Sequence, residues 1–247
     1  MLSEISSEYG RVLTGAADEL FTEALNLAAQ AQAQAQARSE NFVWALNGGS
    51  TPAAFYLWCL NNQALTPELI RATHFTVSDE RAVLTDSPES NFGNALRQLL
   101  DPLGVPHEHR HPWIQAGRSD AEAAAAYRST LRRLAGPEKA YDLCFLGLGD
   151  DCHTASLFPQ TPLLLGDDGL HFGSHRVPDK GWRHTITPAG LRACRKIIVM
   201  ALGTGKANAL HRVHRGPEDV AHVPAQLLKS CAGQVTWLLD EASARHL

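Results

Sequence analysis

Several patterns that would place this protein in a specialised class are missing from its sequence. The five cysteines are an odd number and include no C-x-x-C pair, which argues against a zinc ribbon and against a disulfide framework. Lys and Arg total 22 against 26 Asp and Glu, and the formal net charge is -4. A general nucleic-acid binder is therefore disfavoured, because affinity for the phosphate backbone comes mostly from basic side chains.

Long apolar runs and flexible linkers are also missing. No apolar stretch approaches the ~20 residues that cross a bilayer, and the start, MLSEISSEYG, has no basic flank leading into an apolar signal core. We therefore expect a cytoplasmic protein without membrane or nucleic-acid partners. No repeat or Ser/Gly-rich linker divides the 247 residues, of which 44% are hydrophobic. This length and composition predict one domain over residues 1–247, acting as a monomer or weak dimer.

Five short runs are apolar on both faces and alternate with longer helical patterns. The runs are FVWALN, THFTVSD, YDLCFLGLG, RKIIVMALG and QVTWLLD, and they are typical of strands in a parallel sheet that is covered on both sides. The alternation predicts an α/β fold with a doubly wound, mainly parallel sheet and helices on both faces. Because such sheets bind ligands at the carboxyl ends of their strands, the residues after each run are the candidates for a site.

The first run is followed by NGGSTP. Gly48 and Gly49 allow a tight turn with exposed backbone N–H groups, Ser50 or Thr51 can cap a helix, and Pro52 suits its first turn. Such a helix N-terminus can hold a phosphate. An ordinary strand-to-helix turn accounts for the motif equally well.

The second run is followed by SDERAV and then DSPESN. Asp79 and Arg81 come straight after the strand and are candidates for a carboxylate and a cation that face the crevice. A solvated charge cluster that includes Glu80 is the alternative. Asn91 opens the next helical segment, where it either caps the helix or donates to a substrate hydroxyl.

The third run leads into GDDCHTASLFP. His153 is the candidate general base, because imidazole has the pKa best matched to proton transfer at neutral pH. Asp150 and Asp151 either orient this histidine or cap a helix that we expect to start near Thr154. Ser156 lacks the G-x-S-x-G elbow of a nucleophilic hydrolase, so a Ser-His-Asp mechanism is disfavoured.

Two cations are candidates for binding a phosphate. Lys206 in GTGKANAL stands at the start of a predicted helix, where a cation is unfavourable unless an anion is close. The spacing differs from that of a P-loop. Arg183 in WRHTITPAGL precedes another segment with a helical pattern, and its guanidinium can bind a phosphate through two hydrogen bonds.

One group of histidines raises the question of a metal. His107, His109 and His111 alternate in HEHRHP and would share a face if the segment were extended. We favour a polar loop between Pro106 and Pro112 over a metal site.

Taken together, NGGSTP, SDERAV with SPESN, LGLGDDCHTASLFP, RHTIT and GKANAL resemble the 6-phosphogluconolactonase family over about residues 42–240. The related glucosamine-6-phosphate deaminases carry a stretch like I-A-F-N-E-P after the histidine. Here TASLFP follows, which favours the lactonase branch.

The resemblance implies hydrolysis of 6-phospho-D-glucono-1,5-lactone to 6-phosphogluconate in the oxidative pentose phosphate pathway, without a redox cofactor or an obligatory metal. It implies that His153 activates water and later protonates the ring oxygen. Asp79 would orient that histidine or a sugar hydroxyl, and Arg81 would stabilise developing charge or hold the substrate. The expected substrate- and phosphate-binding residues are Gly48, Gly49, Ser50, Thr51, Asn91, Arg183 and Lys206.

The chain departs from the family pattern D-G-H-T-A-S-L-F-P at Cys152, which stands where the family has glycine. Either the turn adjusts or Cys152 is strained there. Two alternative functions stay open. One is an amino-sugar-phosphate deaminase or isomerase, and the other is a sugar-phosphate-binding protein in which Cys152 marks an impaired site.

Overall fold

The structure is a computed structural model that describes residues 1–166 and 168–247. In the described residues the strands are β1 (Ser3–Ile5), β2 (Arg11–Thr14), β3 (Phe42–Leu46), β4 (Thr73–Val77), β5 (Asp79–Arg81), β6 (Leu143–Leu146), β7 (Phe172–Val177), β8 (Gly181–Ile186), β9 (Lys196–Ala201) and β10 (Val235–Leu239). The α-helices are α1 (Ala17–Ala37), α2 (Ser50–Asn61), α3 (Pro67–Ala72), α4 (Asn91–Ala95), α5 (Asp120–Ala135), α6 (Pro162–Leu165), α7 (Pro188–Arg192), α8 (Ala207–Arg215) and α9 (Glu241–Ala244). A π-helical turn, Leu96–Leu100, continues α4, and 3-10 segments cover His107–His109, Thr204–Lys206 and Pro224–Gln234.

The larger sheet has the strand order β1-β2-β10-β9-β6-β3-β4. All neighbours in it are parallel except β1, which runs antiparallel to β2. The five apolar runs of the sequence form β3, β4, β6, β9 and β10, and every residue of β3, β6 and β10 is buried. The predicted doubly wound, mainly parallel α/β architecture is confirmed.

A second, antiparallel sheet of three strands, in the order β5-β8-β7, lies beside the larger one. The sequence patterns did not predict it. The prediction that Arg183 directly precedes a helical stretch is wrong, because Arg183 lies within β8 and pairs with Arg81 of β5. The helix that follows, α7, begins at Pro188 and is capped by Thr187, whose side chain accepts from Gly190 N.

The core is built around Trp44, Phe145 and Phe55. The ring centroids of Trp44 and Phe145 lie 5.0 Å apart, and those of Phe55 and Phe145 lie 5.6 Å apart. This packing joins β3 and β6 to α2 and so fixes the direction in which α2 leaves the sheet. Among the described residues, no helix is both long enough and apolar enough to cross a membrane.

Candidate active site

Four adjacent strands of the larger sheet end at one cleft. In the order β9, β6, β3 and β4, their carboxyl ends carry the segments with Lys206, His153, Gly48 and Asp79. Parallel neighbours present these ends at the same edge, which is why segments far apart in sequence meet there. The cleft has a volume of about 260 Å³, and of the ten predicted site residues all but Arg183 line it: Gly48, Gly49, Ser50, Thr51, Asp79, Arg81, Asn91, His153 and Lys206.

The loop after β3 forms the N-terminus of α2. Gly49 is the N-cap, with φ 112° and ψ -179°, a conformation that is open to glycine and costly for other residues. A side chain at Gly48 would have no room, since a Cβ there would lie 2.0 Å from Asn91 Oδ1. Ser50, Thr51 and Pro52 of the first turn of α2 also line the cleft, so the cleft borders a helix N-terminus, where an anion is favoured.

Glu80 anchors the segment that carries Asp79 and Arg81. Its carboxylate accepts hydrogen bonds from Ser90 Oγ at 2.9 Å and from the backbone N–H groups of Arg81, Asn91 and Phe92 at 2.7–2.9 Å. Burial raises the pKa of Glu80, while these hydrogen bonds act in the opposite direction. The alternative of a solvated charge cluster is thus excluded for Glu80, which is only 3% exposed.

Asp79 is held by groups other than His153. Its Oδ2 accepts a hydrogen bond from Ser156 Oγ at 2.6 Å, and its backbone carbonyl accepts from Asn91 Nδ2 at 2.9 Å. The Ser156 hydroxyl is therefore engaged with a carboxylate and buried, which further disfavours it as a nucleophile. Asn91 opens α4, but the capping side chain is Ser90, whose hydroxyl accepts from Gly93 N.

Arg81 and Arg183 face each other across the β5–β8 pair. Burial, followed by the positive charge of Arg81, lowers the pKa of Arg183, while Asp79 opposes the shift. A guanidinium stays protonated under such conditions, so the two residues concentrate positive charge beside the Asp79 carboxylate. Arg183 lies next to the cleft rather than in its lining.

His153 is oriented by Asp151. His153 Nδ1 lies 2.5 Å from Asp151 Oδ1, and the ring stacks on Phe158 with a centroid distance of 4.1 Å. Burial would raise the pKa of Asp151, but its hydrogen bond with His153 and the charge of that residue outweigh this effect and lower it to about 2. Because an ionised carboxylate only accepts hydrogen bonds, Nδ1 of His153 carries a proton, and in the neutral ring the lone pair is then on Nε2.

The turn between Gly149 and Leu157 is not helical. Cys152 and Ala155 have φ angles of 67° and 48°, left-handed values that interrupt a right-handed helix. The prediction of a helix starting near Thr154 is therefore wrong. The turn has therefore not adjusted to a side chain at position 152, and Cys152 has the strained left-handed conformation. Its side chain is fully buried, with Sγ 3.6 Å from the carbonyl oxygen of Ala209.

Lys206 stands at the N-cap of α8, as its position in the sequence predicted. Its ammonium lies 2.7 Å from Asp150 Oδ1, with the two side chains 28% and 80% exposed. The adjacent carboxylates therefore have different partners, since Asp150 pairs with Lys206 and Asp151 pairs with His153.

Two histidines of HEHRHP, His109 and His111, pack against His74. His111 Nε2 lies 2.9 Å from His74 Nδ1, and the rings of His74 and His109 are 4.6 Å apart. Over residues 1–166 and 168–247, no group of three or more His, Cys, Asp or Glu residues has an arrangement that could hold a metal ion.

The residues at the site that the sequence patterns did not single out include Asn47 and Phe158. Asn47 lines the cleft but ends a fully apolar strand run, where a single amide carries no functional signal. Phe158 stacks on His153, a contact that only the left-handed turn between them creates. For Asp151, the D-x-H spacing is a usable signal, although it does not separate Asp151 from Asp150.

Comparison with known proteins identifies the family of this chain. Residues 15–237 match the family described as glucosamine-6-phosphate isomerases/6-phosphogluconolactonase. The chain belongs to this family. A 6-phosphogluconolactonase of Synechocystis sp. is 36% identical over 208 residues, which cover 82% of this chain and 83% of that protein. A human 6-phosphogluconolactonase is 37% identical over 174 residues, which cover 68% of this chain and 66% of that protein.

Solved structures of the family have the same fold. The 6-phosphogluconolactonase from Trypanosoma brucei superimposes with a TM-score of 0.81 at 28% identity, covering 95% of this chain and 97% of that one. A monomeric glucosamine-6-phosphate deaminase superimposes with a TM-score of 0.75 at 14% identity, covering 96% of this chain and 99% of that one. At that identity the second match shows the shared fold alone.

Proposed function

We propose that this family member is a 6-phosphogluconolactonase, which hydrolyses 6-phospho-D-glucono-1,5-lactone to 6-phosphogluconate in the oxidative pentose phosphate pathway. The observation that carries the proposal is the Asp151–His153 pair in a cleft that also contains a helix N-terminus and a lysine. The named relatives support the choice of substrate. We also propose that residues 1–247 act as one cytoplasmic domain, as a monomer or weak dimer.

His153 is the general base. With Nδ1–H donated to Asp151, Nε2 accepts a proton from water as the water oxygen forms a bond to C1 of the lactone. When the tetrahedral intermediate collapses, the bond between C1 and the ring oxygen breaks, and the proton on Nε2 passes to that oxygen. Asp151 stabilises the imidazolium that exists between these two steps.

Asp79, Arg81 and Arg183 form the second part of the site. The Asp79 carboxylate, fixed by Ser156, accepts a hydrogen bond from a sugar hydroxyl. Arg81 lines the cleft and places positive charge where the carbonyl oxygen becomes negative. Such a fixed charge lowers the barrier because it needs no reorganisation during the reaction. Arg183, which lies opposite Arg81, supplies a second cation that helps to bind the phosphate group of the substrate.

The main part of the phosphate site lies at the carboxyl ends of β3 and β9. The N-terminus of α2, with Gly48, Gly49, Ser50 and Thr51, supplies backbone and hydroxyl donors, and Lys206 supplies a full positive charge. A dianion is favoured at both places, because each is the start of a helix. Asn91 keeps the loop after β3 close to Asp79 through its contacts with Gly48 and the Asp79 carbonyl.

The test is hydrolysis of freshly made 6-phosphogluconolactone, measured as acid release with the spontaneous rate subtracted. We expect turnover by the natural chain and a loss of roughly 10²–10⁴-fold in His153→Ala, the range typical of a general base. His211→Ala is the matched control, since His211 is an exposed histidine of α8 whose Nδ1 pairs with a backbone carbonyl.

Each outcome separates the alternatives. Near-normal turnover in His153→Ala would show that His153 is not the general base. Release of ammonia from glucosamine-6-phosphate by the natural chain would indicate the deaminase reaction. Binding of 6-phosphogluconate without turnover of the lactone would indicate a binding protein, and Cys152→Gly would then show whether that residue silences the site.

A further inference from the structure

The ion pair between Lys206 and Asp150 lies at the entrance to the proposed phosphate site. Lys206 is the cation at the start of α8 and lines the cleft, and its Nζ is 2.7 Å from Asp150 Oδ1. A lysine at a helix N-terminus faces the positive end of the helix dipole. Without a bound anion, Asp150 therefore supplies the negative charge that this position needs.

We propose that Asp150 is an internal counter-ion that occupies Lys206 in the empty site and competes with the phosphate group of the substrate. The proposal rests on the proposed function, in which Lys206 binds that phosphate. A phosphate dianion at Lys206 would stand beside the Asp150 carboxylate, and the two negative charges repel each other. Binding thus includes the displacement of a charge that the protein itself provides.

The surroundings of Asp150 allow this displacement. Its side chain is 80% exposed, and in the described part of the chain Lys206 is its one side-chain hydrogen-bond partner. Asp151, by contrast, is held by both the ring and the backbone N–H of His153. The Asp150 carboxylate can therefore turn into solvent while the catalytic pair stays in place.

The two arginines of the site have carboxylates nearby, Asp79 among them, but no direct ion pair in the described residues. Within residues 1–166 and 168–247, neither Arg81 nor Arg183 forms a salt bridge; their guanidinium groups donate to the backbone carbonyls of Glu89 and Trp182. Lys206 is the cation of the site that contacts Asp150 directly, so Asp150 lowers the affinity for every ligand that places an anion at Lys206. It is a residue that sets affinity and takes no part in the chemical step.

The experiment is calorimetric titration of 6-phosphogluconate, and separately of inorganic phosphate, into the natural chain, Asp150→Asn, Lys206→Met and the double variant. We expect Asp150→Asn to lower the Kd of both ligands about two- to fivefold, the range in which exposed ion pairs contribute. In the Lys206→Met background the same substitution should change the Kd much less. Asp101→Asn is the control, because it removes the same charge from an exposed ion pair with Arg110 outside the cleft.

The outcomes are distinguishable from failure of the proposed function. If Lys206→Met binds both ligands as the natural chain does, the phosphate site itself is wrong. If Lys206→Met weakens binding while Asp150→Asn leaves the Kd unchanged or raises it, the competition is overturned and Asp150 instead holds Lys206 in place. An equal gain from Asp150→Asn with and without Lys206, or a matching gain from Asp101→Asn, would reduce the effect to net charge and also overturn the proposal.

Discussion

Asp151 and His153 are two residues apart and joined twice, because one carboxylate oxygen of Asp151 accepts from both the ring and the backbone N–H of His153. The double contact requires the left-handed turn at Cys152, which brings the two side chains to the same side. It fixes the tautomer of His153 and the direction in which Nε2 points. The proposed base is therefore oriented before any substrate is bound.

Asp151→Asn should lower kcat roughly 10²-fold, because the amide no longer stabilises the imidazolium or imposes one tautomer. Product affinity should change little, since Asp151 is not assigned to substrate binding. Steady-state kinetics together with calorimetry on 6-phosphogluconate would measure the two effects. A kcat equal to that of the natural chain would contradict the role of Asp151.

Gly149→Ala should displace His153. A Cβ at Gly149 would lie 2.0 Å from His153 Nδ1 and 2.7 Å from Asp151 Oδ1, so the ring must move by an amount that typically costs about 10²-fold in rate. Gly233→Ala is the matched control, since a Cβ there meets no atom within 4 Å. Unchanged kcat in Gly149→Ala would show that the observed position of the ring is not needed.

Cys152 provides a test of backbone strain. At φ 67° the Gly variant should be more stable than the Ala variant by about 1 kcal/mol, because only glycine adopts this conformation freely. At Cys59, which is buried inside α2, the Ala variant should instead be more stable than the Gly variant, since glycine is the poorer helix former. Urea unfolding of the four variants measures both differences. The same order at both positions would refute the strain at Cys152.

Acid should destabilise the fold through two histidines. The pKa of His111 and that of His214 are both lowered to about 4, mainly by burial and secondly by nearby positive charge. Since the unfolded chain takes up these protons near pH 6.5, their contribution to stability is present above that pH and is lost as the pH falls towards 4. Urea midpoints between pH 7 and 4 should therefore fall less steeply in His111→Asn. If the urea midpoint fell equally steeply with pH in the natural chain and in His111→Asn, the contribution of His111 would be contradicted.

Lys206→Met should raise KM for the lactone by about tenfold or more while kcat changes little, because a charged hydrogen bond is lost equally from the bound substrate and the transition state. Initial rates over a range of lactone concentrations test this. A fall in kcat at unchanged KM would place Lys206 at the reacting carbonyl instead.

The strand runs and loop motifs could be predicted from local sequence. Runs such as FVWALN are apolar on both faces, and a strand of that kind is typical of a parallel sheet that is covered on both sides. Because parallel strands end at one edge, the positions of Gly48, Asp79, His153 and Lys206 in one cleft follow from the same pattern. The β7–β8 hairpin could not be predicted, since glycines and a proline interrupt it and the sequence around Arg183 has no clear alternation.

The sequence by itself determined the layered α/β architecture and the chemical groups available to the site, because hydrophobic pattern and glycine placement act locally. The tertiary structure alone decided their pairing. Asp150 and Asp151 are identical in chemistry and adjacent in sequence, yet one faces Lys206 and the other His153. Asp79 likewise binds Ser156 instead of the histidine. Such assignments depend on the φ angle of one turn and on the packing of distant strands, which no local pattern specifies.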